Sequence, residues 1–195
     1  MKNIPIFLAA FLFAGCAEGF AAYPIDDAAN LVYVAQTVPP AGETAAAPVI
    51  LGEFTTKFNP ALKNRAHNIK LAAAKLDNLV LPPFETFSCN AALGETGRAQ
   101  GYRMARIFIK GEESRGYGGG VCQVATTLYN AALSAGFDII ERHAHSKDVS
   151  YVGAGRDAAV SFGGVDLKMV NIGEVPAIIK TYVTGDSITI RLQSL

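Results

Sequence analysis

The run GYGGGVCQVATTLYNAALSAGFDIIERHAHS, residues 116–146, holds in order a glycine cluster, a cysteine, a helical pattern, a glycine stop, a short apolar strand and two histidines. Glycines at 116 and 118–120 deliver Cys122 to the first turn of the helix. Val124 or Ala125, Leu128, Ala131 or Ala132, and Ala135 share one side of that helix and are small enough to lie close on a sheet. Gly136 suits the position just past a helix end, and FDIIER then reads as a strand that delivers His143 and His145. The first turn of a helix carries unpaired N–H groups and partial positive charge, so a thiol there ionises more readily and finds oxyanion donors at hand. A cysteine so placed, with histidine returning on a neighbouring strand, is the layout of a papain-like nucleophile and base.

Outward from this run the pattern stays mixed. Downstream, YVGAGRDAAVSF (151–162) reads as a turn closing into a strand, and DLKMVNI, PAIIKTYV and SITIRLQ are three further strands. Upstream, GEFTTKF (52–58) alternates as a strand, and Asn59-Pro60 supplies a helix cap with proline at the first helical position. Leu62, Ala66, Ile69, Ala73 and Leu76 form the buried stripe of that helix, and Pro82-Pro83 ends it. His67 lies off the stripe beside Arg65 and Asn68 and is expected on the solvated face. FETFSCN reads as a strand or loop, ALGETGRAQG as a turn, and YRMARIFIKG as a strand leading into a charged turn, Glu112 to Arg115. Two or three helices with six or seven mainly sequential strands predict a single α+β domain, an antiparallel sheet packed on helices, over residues 51–195.

The first 50 residues differ in kind. Lys2 followed by IPIFLAAFLFAG is a positive end before an apolar run too short to span a bilayer, which reads as an export signal over 1–16. FAGC at 13–16 resembles a bacterial lipoprotein signal with Cys16 as the lipidated residue, although Phe13 stands where leucine is usual; plain cleavage near Ala21 or Ala22 is the other reading. Residues 17–50, rich in Ala and Pro, read as a tether, with LVYVAQTV (31–38) able to pair as a strand. The expected location is therefore outside the cytoplasm, in the periplasm or cell envelope, with a lipid anchor as the contact with membrane. Seventeen basic residues balance seventeen acidic ones, which argues against nucleic acid as a partner.

Around Cys122 the candidate chemistry is specific. The glycine cluster lacks the lysine of a phosphate loop and the spacing of a dinucleotide fingerprint, so no nucleotide or other cofactor is expected. Gly118, Gly119 and Gly120 instead let a substrate backbone approach the thiol, and the Gln123 N–H, with that of Cys122, could form an oxyanion hole. His143 and His145 fall on one side of an extended strand, and a zinc site with Cys122 and Asp157 can be drawn, but no CxxC or HExxH spacing supports a metal. Asp157 could orient a histidine or cap its own loop. Arg142 could clamp a substrate carboxylate or pair with Glu141 or Asp138. Cys89 is expected as a free buried thiol, although an exported protein also permits a Cys89–Cys122 disulfide.

GGGVCQVATTLYNAALSAG, then ERHAHSKDVSYVGAGRDAAV, and upstream FETFSCNAALGETGRAQGYRMA, closely resemble the core of the VanW family, named for a protein encoded beside vancomycin-resistance genes. The resemblance runs from about Phe54 to about Asn171, with Cys89 where the family usually has phenylalanine. Members include peptidoglycan L,D-transpeptidases that use the motif cysteine as nucleophile. The resemblance implies that Cys122 has this role, that His145 is the base with His143 as partner or core-edge residue, and that Ser146 and Tyr102 belong to the substrate-binding set. It also implies peptidoglycan stem peptides as the partner. A papain-like wall endopeptidase, a carboxypeptidase and a non-catalytic stem-peptide or glycopeptide binding module are the alternatives.

Overall fold

The computed structural model describes residues 47–109 and 112–195, so the signal, Cys16, and the strand and most of the tether read before residue 47 lie outside the described residues. Among the described residues the fold is α+β, with antiparallel strand pairing and three helices. In chain order the elements are β1 (Ile50–Lys57), α1 (Lys63–Leu76), β2 (Val80–Leu81), β3 (Thr86–Ser88), α2 (Cys89–Leu93), β4 (Met104–Ile109), β5 (Glu112–Tyr117), α3 (Val121–Ser134), β6 (Asp138–Glu141), β7 (Lys168–Val170), β8 (Ala177–Thr184) and β9 (Ser187–Ser194).

The strands form three sheets rather than one: β1-β9-β8-β2, β3-β7-β6, and the two-stranded β4-β5. In the largest, Ile188, Ile190 and Leu192 of β9 and Ala177 and Ile179 of β8 are fully buried at alternate positions, the period of a sheet with one covered face. Helices α1 and α3 cover it. A Cβ on Gly52 would come within 2.4 Å of the Ala131 carbonyl and the Ala135 nitrogen, so β1 carries glycine where α3 lies directly on it. Ala66, Ile69, Ala73 and Leu76 of the expected α1 stripe are buried, joined by Ala72 and Asn68, whereas Leu62 is exposed.

Other boundaries differ from the sequence expectation. Asn59 does not cap α1; its side chain accepts from the Ala61 N–H at 2.9 Å in a preceding turn, and Leu62 takes the cap position without a side-chain bond. The helix ends at Leu76, well before the prolines, because Asn78 adopts a left-handed backbone (φ 66°) and Val80–Leu81 joins β8. The charged segment 112–115 is strand, paired with β4 from Arg106↔Arg115 to Ile109↔Glu112. The strand expected after the turn in 151–162 is reduced to one bridge, Ala159 with His143. Among the described residues no helix is long and apolar enough to cross a membrane.

Helix α3 ends as its sequence dictates. The Phe137 N–H bonds to the Ala132 carbonyl at 3.0 Å and the Gly136 N–H to Leu133 at 3.2 Å, with Gly136 at φ 74°, the two-bond closure that favours glycine. At the other end Gly120, at φ 116°, turns the chain into the helix, leaving Cys122 in the first turn.

Candidate functional site

One stripe of α3 organises the site. Cys122, Thr126 and Asn130 recur every four residues, and the extended segment 156–160 runs antiparallel along them. Asn130 donates to the Arg156 carbonyl at 2.8 Å. Thr126 Oγ1 donates to the Ala158 carbonyl at 3.2 Å and accepts the Ala158 N–H at 2.9 Å. The Cys122 thiol donates to the Val160 carbonyl at 3.4 Å. Four helical residues rise about 6 Å and two extended ones about 6.6 Å, so the three contacts stay in step. The intervening residues turn the other way: Ala159 donates to the His143 carbonyl at 2.8 Å, and Asp157 meets Arg142 and His145.

Asp157 is buried. Its Oδ2 accepts from both the main-chain N–H and the ring Nδ1 of His145, each at 2.6 Å. Oδ1 accepts from Arg142 Nη2 at 2.8 Å, and the Asp157 carbonyl accepts from Arg142 Nε at 2.6 Å. Burial works to raise this carboxyl, but the His145 hydrogen bonds and the His145 and Arg142 charges hold it below the usual range. A carboxylate only accepts, so Nδ1 carries the hydrogen and Nε2 is the nitrogen left for the sulfur. The imidazole is held above the ordinary histidine range, chiefly by the neighbouring Cys122 sulfur and then, against the cost of burial, by Asp157. His145 and Asp157 thus form a hydrogen-bonded imidazole–carboxylate pair beside the partly accessible Cys122 thiol.

The remaining sequence candidates divide. His143 turns from this chain to Glu141, at 2.9 Å, and its side chain is 43% exposed against 15% for His145. Arg142 is fixed on Asp157 and stacked 5.6 Å from the Tyr129 ring centre, rather than standing free as a clamp or pairing with Glu141 or Asp138. The Gln123 N–H already donates to the Gly120 carbonyl at 3.1 Å, whereas the Cys122 N–H has no acceptor among the described residues. Gly118 and Gly119 are buried against the protein itself, not opened to substrate; a Cβ on Gly119 would meet the Arg106 carbonyl at 2.5 Å. Gly120 is partly accessible. Tyr102 is a core residue beneath Lys75, its hydroxyl pushed up to about 12 by burial, and Ser146 is exposed. Cys89 is fully buried and unbonded to Cys122, its thiol pushed up by burial and then by Asp166 and Cys122. Among the described residues no three His, Cys, Asp or Glu side chains converge as a metal site.

Several site residues carried no mark in the sequence reading. Asn68 of α1, fully buried, donates to the Gly119 carbonyl at 3.0 Å and the Arg103 carbonyl at 2.9 Å, and so holds the glycine turn in place. Arg65, one turn earlier, donates to Gln123 Oε1 at 2.8 Å and lies over the Tyr151 ring, 5.8 Å from its centre. Tyr151 has its hydroxyl raised by burial and by the nearby Cys122. Polar residues at 126 and 130, in steps of four from Cys122, were the signal available for Thr126 and Asn130.

No solved structure shows a significant match to this chain. The chain is 46% identical over 144 residues to "Uncharacterized protein YoaR" of Bacillus subtilis (strain 168), an alignment covering 74% of this chain and 48% of that protein. It is 32% identical over 118 residues to "Vancomycin B-type resistance protein VanW" of Enterococcus faecalis (strain ATCC 700802 / V583), covering 56% of this chain and 42% of the relative. It therefore spans about half the length, or less, of these curated relatives. The family model described as "VanW like protein" matches residues 64–193, from the second residue of α1 to the penultimate residue of β9, a span that includes Cys122, His145 and Asp157, and on that match the protein belongs to the VanW family.

Proposed function

We propose that the protein is a cysteine acyltransferase that acts on peptidoglycan stem peptides, as an L,D-transpeptidase. The observation that carries this reading is the Asp157–His145 hydrogen bond held beside Cys122, which lies in the first turn of α3. Its roles resemble those of a papain-like site: a nucleophile in the first helical turn, a base beside it, and a carboxylate that fixes the base.

In the course this supports, the thiol proton passes to His145 Nε2 and the sulfur attacks the carbonyl carbon of the third stem residue. The Cys122 N–H faces the developing oxyanion. The bond to D-Ala breaks, the imidazolium gives its proton to the departing amine, and a thioester remains on Cys122. The side-chain amine of a second stem then attacks the thioester, loses a proton to His145 and expels the thiolate, leaving a three-to-three cross-link. Water as acceptor makes the same site a carboxypeptidase. Such a substrate places the protein outside the cytoplasm. Export with lipidation at Cys16 is part of the proposal, and intact-mass measurement of membrane-fraction protein tests it; a soluble product beginning near Tyr23 would contradict it.

Incubation with a tetrapeptide stem should yield a Cys122 peptide carrying the stem minus D-Ala, visible by mass. Cys122→Ala should abolish both this adduct and the cross-linked product. Loss of a positioned base costs a factor of about 10²–10⁴ in rate, so His145→Ala should fall in that range while His143→Ala retains most activity. Undiminished turnover in Cys122→Ala would remove the enzyme reading in favour of a binding module.

A further inference from the structure

We propose that Arg65 and Tyr151 form a carboxylate-binding subsite beside Cys122, which takes the free terminal carboxylate of the residue expelled as the thioester forms. This rests on the acyl-transfer reading above and narrows it. The subsite selects the last peptide bond of a chain over an internal one.

The geometry begins at the contact of α1 with the start of α3. A Cβ on Gly120 would lie 3.2 Å from the Arg65 carbonyl oxygen and 3.3 Å from Arg65 Cγ. The Arg65 side chain therefore leaves α1 against the residue that turns the chain into Cys122. It cannot swing freely, because Nη1 donates to Gln123 Oε1 at 2.8 Å. Gln123 is itself fixed: it is 1% exposed, and its Nε2 donates to Thr56 Oγ1 and to the Lys57 carbonyl, each at 2.9 Å. Those two acceptors settle which way the amide faces, so its oxygen must point at Arg65. On the other side the guanidinium rests over the Tyr151 ring.

What this cation lacks is an anion. Among the described residues Arg65 joins no ion pair, although Arg106, Arg142 and Arg191 each have a carboxylate within 4 Å. Its one charged-group donation goes to a neutral amide, and burial works against its charge, with Tyr151 and Cys122 as the nearest groups able to offset that. A half-buried guanidinium held rigidly with donors to spare is costly unless something completes it. The fork of a guanidinium matches a carboxylate in two parallel hydrogen bonds. A single arginine backed by an aromatic ring also suits a monoanion better than a phosphate dianion, which needs more donors. An internal peptide bond offers no charge at this place; a terminal residue does.

The test is alkylation of Cys122 in the full-length chain by iodoacetate and by iodoacetamide, reagents alike except for the carboxylate, at one pH. A charge-assisted pair implies that Arg65→Gln lowers the iodoacetate-to-iodoacetamide rate ratio roughly tenfold or more, beyond any slowing common to both reagents from loss of a charge near the thiol. Equal slowing of both reagents would show that Arg65 acts on the thiol itself and would overturn the subsite, as would an unchanged ratio. Should Arg65→Gln fail to fold, the native chain supplies a second measurement. A tetrapeptide stem with a free terminal carboxylate should protect Cys122 from iodoacetamide at about a tenfold lower concentration than its terminal amide, and equal protection refutes the subsite. Neither readout needs turnover. A thioester that forms normally without carboxylate preference refutes only the subsite, and a preference without any thioester refutes only the transpeptidase.

Discussion

Replacing Asp157 by Asn tests the link between the histidine and the fold. The carboxylate accepts the His145 main-chain N–H and ring Nδ1–H at 2.6 Å on one oxygen and Arg142 Nη2 at 2.8 Å on the other. An amide keeps one acceptor and puts an NH₂ group in the second place, so whichever way it turns, it faces donors. Hydrogen bonds to charged groups contribute about 1.5–3 kcal/mol each. At about 1.4 kcal/mol per factor of ten, losing the one that holds the imidazole should slow thioester formation about 10- to 150-fold. A buried donor left unpaired should also cost about 1–3 kcal/mol of stability, measured by urea unfolding. A variant with native stability and rate would refute the assigned role.

The pH dependence gives the same substitution a second reading. The His145 pKa is raised in the folded protein, so its contribution is fully present below the unfolded value of about 6.5 and is lost as pH rises through the folded value. Asp157 is lowered, so its contribution is present above the unfolded value of about 3.9 and is lost as pH falls through the folded one. Both are complete between about pH 4 and 6.5. In Asp157→Asn the acid-side loss due to this group disappears, and the alkaline-side loss moves to lower pH because the imidazole has lost a partner that raises it. Unfolding midpoints measured across pH report both limbs; a profile superimposable on the native one would exclude the pair as the cause.

Two further outcomes follow from burial and from the α3 stripe. A neutral thiol reagent should modify Cys122 in the native protein and reach Cys89 only in denaturant, since Cys89 has no exposed surface; mass mapping of the labelled peptides decides it, and equal native labelling would contradict the packing. Thr126→Val keeps the volume but strands the buried Ala158 N–H, so urea unfolding should show a loss of about 1–3 kcal/mol, with slower thioester formation as Asp157 loses its anchored neighbour.

The sequence foretells those parts of the fold whose residues are sorted by burial. Strands β8 and β9 alternate, α1 carries its apolar stripe, and the Gly136 stop of α3 lies in the chain itself. Segment 112–115 is legible only as charge, because no residue of β5 is fully buried and its half-buried positions, Ser114 and Gly116, are not apolar, so the alternation leaves no hydrophobic period. The start of α1 was misplaced for another reason: Asn59 makes a local bond that is equally natural to a cap and to a turn, and only the path of the chain decides between them.

At the candidate site the chain names the candidate nucleophile and base more readily than their supports. A cysteine after glycines and a pair of histidines are conspicuous by type, but the choice between His143 and His145 depends on which one meets Asp157, a tertiary fact. Arg65 sits beside a solvated face of α1 in any helical projection and becomes half-buried only because Gly120, Gln123 and Tyr151 arrive from elsewhere in the chain. The stripe of α3 is the exception. Ten of its fourteen residues are buried, among them Thr126 and Asn130 with no exposed surface. A polar side chain in such a helix cannot be solvated and must find a partner within the protein. A helix already covered by sheet on its apolar side leaves only a backbone segment on the other, and a spacing of four can be met there by every second residue of an extended chain. Placing such a segment along Cys122, Thr126 and Asn130 brings Asp157 between its contact points, from where it can reach the histidine.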